Sequence, residues 1–312
     1  MSGCNAIEGS RGLSGLTGQS DLQGRSDLQG LSDLRRLIGP TLVGGSDLAA
    51  RRLAEAEGTE ERGGATLPVT RWRLGCAEAD ALLGPGGLTV DGVHEVKPAL
   101  AETGGCHAGD WAAALAFVLR LVRRRLVDAA RQSEAPVLMW CQSRQAAGEL
   151  GRLYAPGLQC LGIDPQRVLV VETMRREETL WAMEEGLASG ALVLVAGSVD
   201  DIALTPARRL ALRAARHRTP CLVLTSPRGA PTAATATRWR IACHRGARHP
   251  FDPRAPGPLR LAASLERCRQ RPFAGAAQTF TLDWSDEAHR FDMAPGLADR
   301  ADGARPAGRR VA

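Results

Sequence analysis

The sequence predicts an α/β fold: a doubly wound, mainly parallel sheet with an antiparallel extension toward the C-terminus. Three observations predict it. The runs VLMWC (137–141), RVLVVE (167–172), ALVLVAG (191–197) and CLVLT (221–225) are short and apolar without alternation, the pattern of strands buried on both faces. Segments of helical periodicity separate them, as the crossovers of a parallel sheet require. After residue 236 such segments stop, and TRWRIA, LRLAASLERCR and QTFTLDW interleave polar and apolar residues as antiparallel strands do.

Each element follows in order. GVHEV at 92–96 reads as the first strand. Asp110 is placed to cap a helix whose Trp111, Ala114, Leu115, Val118, Leu119, Val122 and Leu126 form a stripe of 3.6-residue period. Pro136 precedes the buried strand VLMWC. QAAGELGRLY reads as a short helix, ended by Pro156-Gly157. RVLVVE is followed by the helix REETLWAMEEGLASG, with Leu180, Met183 and Leu187 on one face and Gly190 as its stop. ALVLVAG leads into TPARRLALRAARHR (205–218), a helix with Thr205 as N-cap and Pro206 in its first turn. CLVLT closes the apolar strand set.

The 312-residue chain holds one sizeable domain with appendages. Residues 1–65 form a low-complexity tail in which SDL recurs at 20–22, 26–28, 32–34 and 46–48, with one short helix expected at 46–57. Residues 66–288 form the α/β domain, and residues 289–312, rich in Gly, Pro and Arg, a disordered tail. A net charge of +6 permits contact with nucleic acid or an acidic protein surface without requiring it. Lys97 is the only lysine. Codon usage accounts for so arginine-rich a chain, with a selected arginine-rich binding face as the alternative. Eight cysteines without a C-x-x-C pair read as structural thiols, and the isolated Cys-His pairs at 106–107 and 243–244 do not suggest a metal site. With no secretory signal and no apolar run of about 18 residues, a cytoplasmic location is expected.

GGCHAGDW (104–111) has the glycine spacing of a phosphate-binding loop at Gly104, Gly105 and Gly109. Such a loop needs Lys for the phosphates and Ser or Thr for magnesium, where this chain has Asp110 and Trp111. Lys97 lies ahead of the glycines, and Gly104 comes late after the strand. The acidic residue expected at the end of a neighbouring apolar strand is missing as well: Ala196 and Gly197 stand there, and Asp200 and Asp201 read as a solvated turn. No cofactor and no catalytic residue is expected. Cys106 beside His107 lacks a third, orienting group.

SGALVLVAGSVDDIALTP (189–206) resembles the Walker B segment of RecA recombinases without its aspartate, and the surrounding order of elements is similar. The resemblance places Gln142 where RecA-like ATPases carry the glutamate that activates water; an amide can orient water but not accept its proton. GVHEV, RLYAPGLQCLGIDPQRVLVVE, TLWAMEEGLASGALVLVAG, LTPARRLAL and TATRWRIA together resemble the ImuA family, RecA-like and SulA-related accessory proteins of damage-induced (SOS) mutagenesis. The resemblance covers residues 66–285 and leaves out the SDL repeats. It implies a RecA-like fold without ATP hydrolysis, acting by binding RecA, or an error-prone polymerase with its polymerase-like partner, in translesion synthesis. Of the two DNA-gripping loops of RecA proteins, the second matches SPRGAPTAATA (226–236). It makes Arg228, Arg238, Trp239 and Arg240 candidate contacts to single-stranded DNA or a partner, with packing of Trp239 in the sheet as the structural alternative. Arg123, Arg124 and Arg125 read as a solvated helix end, complementary to the helix dipole. A SulA-like cell-division inhibitor and an altered-site ATPase or single-stranded-DNA-binding protein remain alternatives.

Overall fold

The computed structural model describes residues 71–84, 87–100, 106–131, 136–229, 232–246, 249, 251–252, 254–255, 257, 259–271 and 277–294. The SDL repeats, the helix expected at 46–57 and the glycines Gly104 and Gly105 lie outside the described residues. So does most of the C-terminal tail.

Among the described residues nine strands form the frame, side by side in the order Arg290–Met293, Gln278–Ser285, Arg260–Cys268, Thr237–His244, Val93–Pro98, Cys221–Leu224, Leu194–Ser198, Leu138–Ser143 and Val168–Thr173. Its parallel part contains β3 (Val93–Pro98), β4 (Leu138–Ser143), β5 (Val168–Thr173), β6 (Leu194–Ser198), β7 (Cys221–Leu224) and β8 (Thr237–His244). β9 (Arg260–Cys268), β10 (Gln278–Ser285) and β11 (Arg290–Met293) continue it antiparallel. The mixed α/β class is as expected, with two shifts. β8 still runs parallel to β3, so the antiparallel part begins one strand later than the change in sequence pattern. β11 falls in the segment read as a tail, because Phe291 anchors it: the ring is fully buried, 5.3 Å from Phe117 and 5.0 Å from Trp284. β1 (Arg71–Trp72) and β2 (Leu88–Thr89) form a separate antiparallel pair, with α1 (Ala77–Leu82) between them.

The alternation of side chains along each strand divides the core in two. On one face α2 (Ala108–Ala130) sets Phe117, Leu121 and Val122 against Val96, Trp140, Leu222 and Trp239. On the other, α5 (Arg176–Ala188) and α6 (Leu204–His217) cover Val93, Met139, Cys141, Val195 and Val223. Two short helices, α3 (Arg144–Leu150) and α4 (Ala155–Cys160), lie between β4 and β5. Ser143 caps α3 by accepting from Ala146 N–H at 3.1 Å. α6 starts at Leu204 with Ala203 at the cap, so Thr205 sits inside its first turn. Among the described residues, no helix is long and apolar enough to cross a membrane.

The arginines of α2 are not a solvated helix end. The helix runs on to Ala130. Arg125 is buried and donates to Val193 O at 3.1 Å, and Arg124 donates to Arg73 O at 3.1 Å.

His94 is fully buried in β3, 2.8 Å from Thr237 Oγ1 through Nδ1 and 2.7 Å from Thr89 O through Nε2. Thr89 O can only accept, so Nε2 carries the proton and Nδ1 receives the Thr237 hydroxyl. Burial disfavours the imidazolium and pushes the His94 pKa down from 6.5 to about 4. Above pH 6.5 the ring is neutral in both states and the fold keeps its full stability. As pH falls from 6.5 toward 4 the unfolded chain protonates and the native ring does not, so stability is lost across that window. The expected loss is about 3 kcal/mol. Urea unfolding of the wild type and His94→Asn across this range checks it: the variant, though less stable throughout, should lose that part of the pH slope.

Candidate functional site

Doubly wound sheets bind ligands beyond the carboxyl ends of their parallel strands. At that end lie the start of α2, the end of β6, and the chain leaving β7. Asp110 stands in the first turn of α2 but does not cap it. His107 occupies the cap position without a side-chain bond, and Asp110 Oδ1 instead accepts Cys243 N–H of β8 at 2.7 Å. The helix start is thereby tied to the sheet by a carboxylate at the place where a phosphate loop would present N–H groups to an anion. Cys106 donates its thiol to the carbonyl oxygen of His107 and not to the ring. Its pKa is raised by burial and then by Asp110, the opposite of an activated nucleophile.

Gln142, at the end of β4, accepts Trp140 Nε1–H at 3.0 Å and donates to Glu172 Oε1 at 3.4 Å. Both ends of its amide are engaged. Glu172, which the sequence reading passed over, is bonded to Arg152 at 2.7 Å; that bond holds its carboxyl below the usual range, so it remains an ion-pair acceptor. Ala196 is fully buried in β6 opposite Trp140. At Gly197 a Cβ would stand 2.7 Å from Cys141 O and 2.9 Å from Met183 Sδ, so the position admits no side chain without displacement of its neighbours. Asp201 Oδ1 is buried and accepts no hydrogen bond among the described residues, whereas a solvated turn would expose it. No three His, Cys, Asp or Glu side chains converge among the described residues.

The other face of β3 carries charge. Glu95 and Lys97 are each 1% exposed and pair at 3.2 Å. Arg238 Nε meets the second carboxylate oxygen of Glu95 at 2.8 Å, and Thr225 Oγ1 donates to the first at 3.2 Å. The topology explains this cluster. β7 and β8 are parallel and flank β3, so the segment between them must cross over β3. No helix forms there among the described residues, so carbonyls that a helix would satisfy internally need other donors. Lys97 donates to Gly229 O, Arg238 to Thr232 O at 2.7 Å and Arg240 to Pro227 O at 3.4 Å. Arg267 reaches Ala233 O at 2.9 Å and Thr235 O at 3.2 Å, and Arg269 reaches Ala234 O at 3.1 Å.

This arrangement corrects most of the candidate contact set. Trp239 is 0% exposed, with its ring 5.5 Å from Phe117 and Nε1 donating to Thr237 Oγ1, so it offers no face to a base. Arg238 is buried against Glu95. Arg240 is half-buried, paired with Glu266. Of the four, Arg228 alone is exposed. Period-two alternation could have shown Arg238 and Arg240 sharing a sheet face with Glu95 and Lys97, and the solitary lysine was a second signal. Neither reveals that a loop covers them.

No family model matches the chain. Over 258 residues it is 30% identical to Protein ImuA of Caulobacter vibrioides, in each of two strains. The match spans 79% of this chain and 98% of those relatives.

Proposed function

Because the chain belongs to the ImuA family, we propose that it is a RecA-like accessory protein of the DNA-damage (SOS) response and error-prone translesion synthesis, and that it acts by binding without ATP hydrolysis. Its partners on this reading are RecA, or an error-prone polymerase with its polymerase-like companion, in the cytoplasm. The domain over residues 66–288, extended through β11, is the acting part. The observation that carries the reading is the joint fate of the positions that ATP chemistry would use. Asp110 is bonded to β8, Gln142 to two neighbours, Gly197 is closed by Cys141 and Met183, and Lys97 is bonded to Glu95 and Gly229. Within the fold these groups are consumed by structure, which supports a scaffold kept for its surface. The pinned crossover supports the same view, since a loop held by five basic side chains needs no nucleotide to order it. Arg228 is the remaining candidate for a contact to single-stranded DNA, through phosphate, and such binding would weaken steeply with salt.

Two measurements test this. Affinity purification of the tagged full chain from DNA-damaged cells should recover RecA or a translesion polymerase; capture of FtsZ alone would favour a SulA-like division inhibitor instead. In thermal unfolding, ATP with magnesium should leave Tm unchanged. A bound nucleotide at a hundredfold excess over Kd would add about 2.7 kcal/mol, so a saturable rise would point to an altered-site ATPase.

A further inference from the structure

Helix α6 buries a narrow stripe, Ala207, Leu210 and Ala214, against the sheet and α5. Its outward face holds Arg208, Arg209, Arg213 and Arg216, all exposed, and among them Leu212, which is 70% exposed. A lone exposed leucine is ordinary on a protein surface. This one has Arg208 one turn before it, Arg216 one turn after it and Arg209 three residues before it, with Ala215 at its side. The four guanidinium groups are spread along about 12 Å of helix axis.

The charge is only partly compensated, by the Glu184 carboxylate, on which Arg213 also acts. Arg209 pairs with Glu184 of α5, which is itself buried. Arg208, Arg213 and Arg216 form no ion pair among the described residues. His217 registers the resulting field: burial first, then Arg216 and Arg213, push its pKa down. Cations three and four residues apart on one helix face repel, so the array weakens the helix that carries it. The Glu184 pairing with Arg209 and the place of Arg216 in the last turn of the helix offset part of that cost.

We propose that this face of α6 docks an acidic, amphipathic segment of another protein, with an apolar side chain seated on Leu212 and carboxylates against Arg208, Arg213 and Arg216. Charge complementarity sets the sign of the partner, and Leu212 sets its class. A nucleic-acid backbone satisfies the guanidinium groups but leaves the leucine facing phosphate or water. An exposed apolar centre ringed by arginine is the layout of a protein contact, in which the centre is desolvated and the rim charges orient the approach. The inference is independent of the ATP positions and of RecA binding.

Fluorescence anisotropy on the full chain tests it with a labelled helical peptide of Glu and Leu, about three turns long, the leucines on one face. An all-glutamate peptide of equal length and a single-stranded oligonucleotide serve as comparisons. The Glu/Leu peptide should bind, more weakly as salt rises, and more tightly than either comparison probe. Arg208→Glu/Arg213→Glu/Arg216→Glu should reduce its affinity at least about tenfold, and Leu212→Ser about fivefold, with a cooperative thermal transition retained in both because these side chains are exposed. The proposal is overturned if the Glu/Leu peptide does not bind, if either substitution leaves its affinity intact, or if the all-glutamate peptide or the oligonucleotide binds as tightly.

Discussion

Glu95→Gln should lower the free energy of unfolding by about 3 to 5 kcal/mol, because it removes one charge and strands two. Lys97 and Arg238 both pair with Glu95 below the surface, and Thr225 adds a neutral donor to the same carboxylate. Glutamine has nearly the same shape but brings an NH2 group where three donors converge, so one pairing reverses and both cations lose their counter-charge. The cost should extend to the crossover. Lys97 and Arg238 also hold Gly229 O and Thr232 O, so amide exchange across residues 225–237 should rise beyond its increase elsewhere. Urea unfolding and hydrogen exchange measure the two effects; an unchanged unfolding midpoint would remove the cluster from the stability of the fold.

Gly197→Asp, which puts a carboxylate at the end of β6, where the resemblance to RecA-like ATPases would place one at Ala196 or Gly197, should destabilise the protein by about 3 kcal/mol or more and confer no binding of magnesium or ATP. The new Cβ would enter the space of Cys141 O and Met183 Sδ, and its neighbours in the same core cluster, Met139, Val195 and Leu180, are apolar. A carboxylate there loses its hydration and gains no cation. Thermal unfolding with and without magnesium and ATP is the check. A variant as stable as wild type that acquires magnesium-dependent ATP binding would show that the site had been vacant and not filled.

Both expectations rest on features that differ in how far the sequence exposes them. The parallel core was legible because β4, β6 and β7 are too short and too uniformly apolar for anything except strands covered on both faces. GGCHAGDW departs from a phosphate loop in residue types at fixed spacing, which is a property of the sequence alone. The role of Asp110 was not, since the N–H it binds belongs to Cys243, 133 residues away. The same holds for Trp239. An aromatic residue between two arginines after a small-residue loop looks like a stacking platform until β11, folded from a segment composed like a tail, brings Phe291 to the same core as Phe117. The arginines at 123–125 were misjudged for a related reason: charge suggests solvent, and only packing shows that the Arg125 guanidinium reaches Val193 O.

What the sequence by itself determined is the mixed α/β class and the order of the core strands and helices; it also places Asp110 and Trp111 where a phosphate-binding loop would carry Lys and Ser or Thr. These follow from local periodicity and residue identity, which need no partner distant in the chain. The tertiary structure alone decided which charges are available. Lys97, Arg238 and Arg240 are drawn inward because the crossover between β7 and β8, which forms no helix among the described residues, leaves carbonyls of Gly229, Thr232 and Pro227 that these side chains satisfy, and Glu95 pairs with the first two of them. Arg208, Arg213 and Arg216 remain outside because α6 needs only a narrow apolar stripe to hold it against the sheet. An arginine-rich composition is the same in both places; burial separates the arginines that build the molecule from those that can meet another.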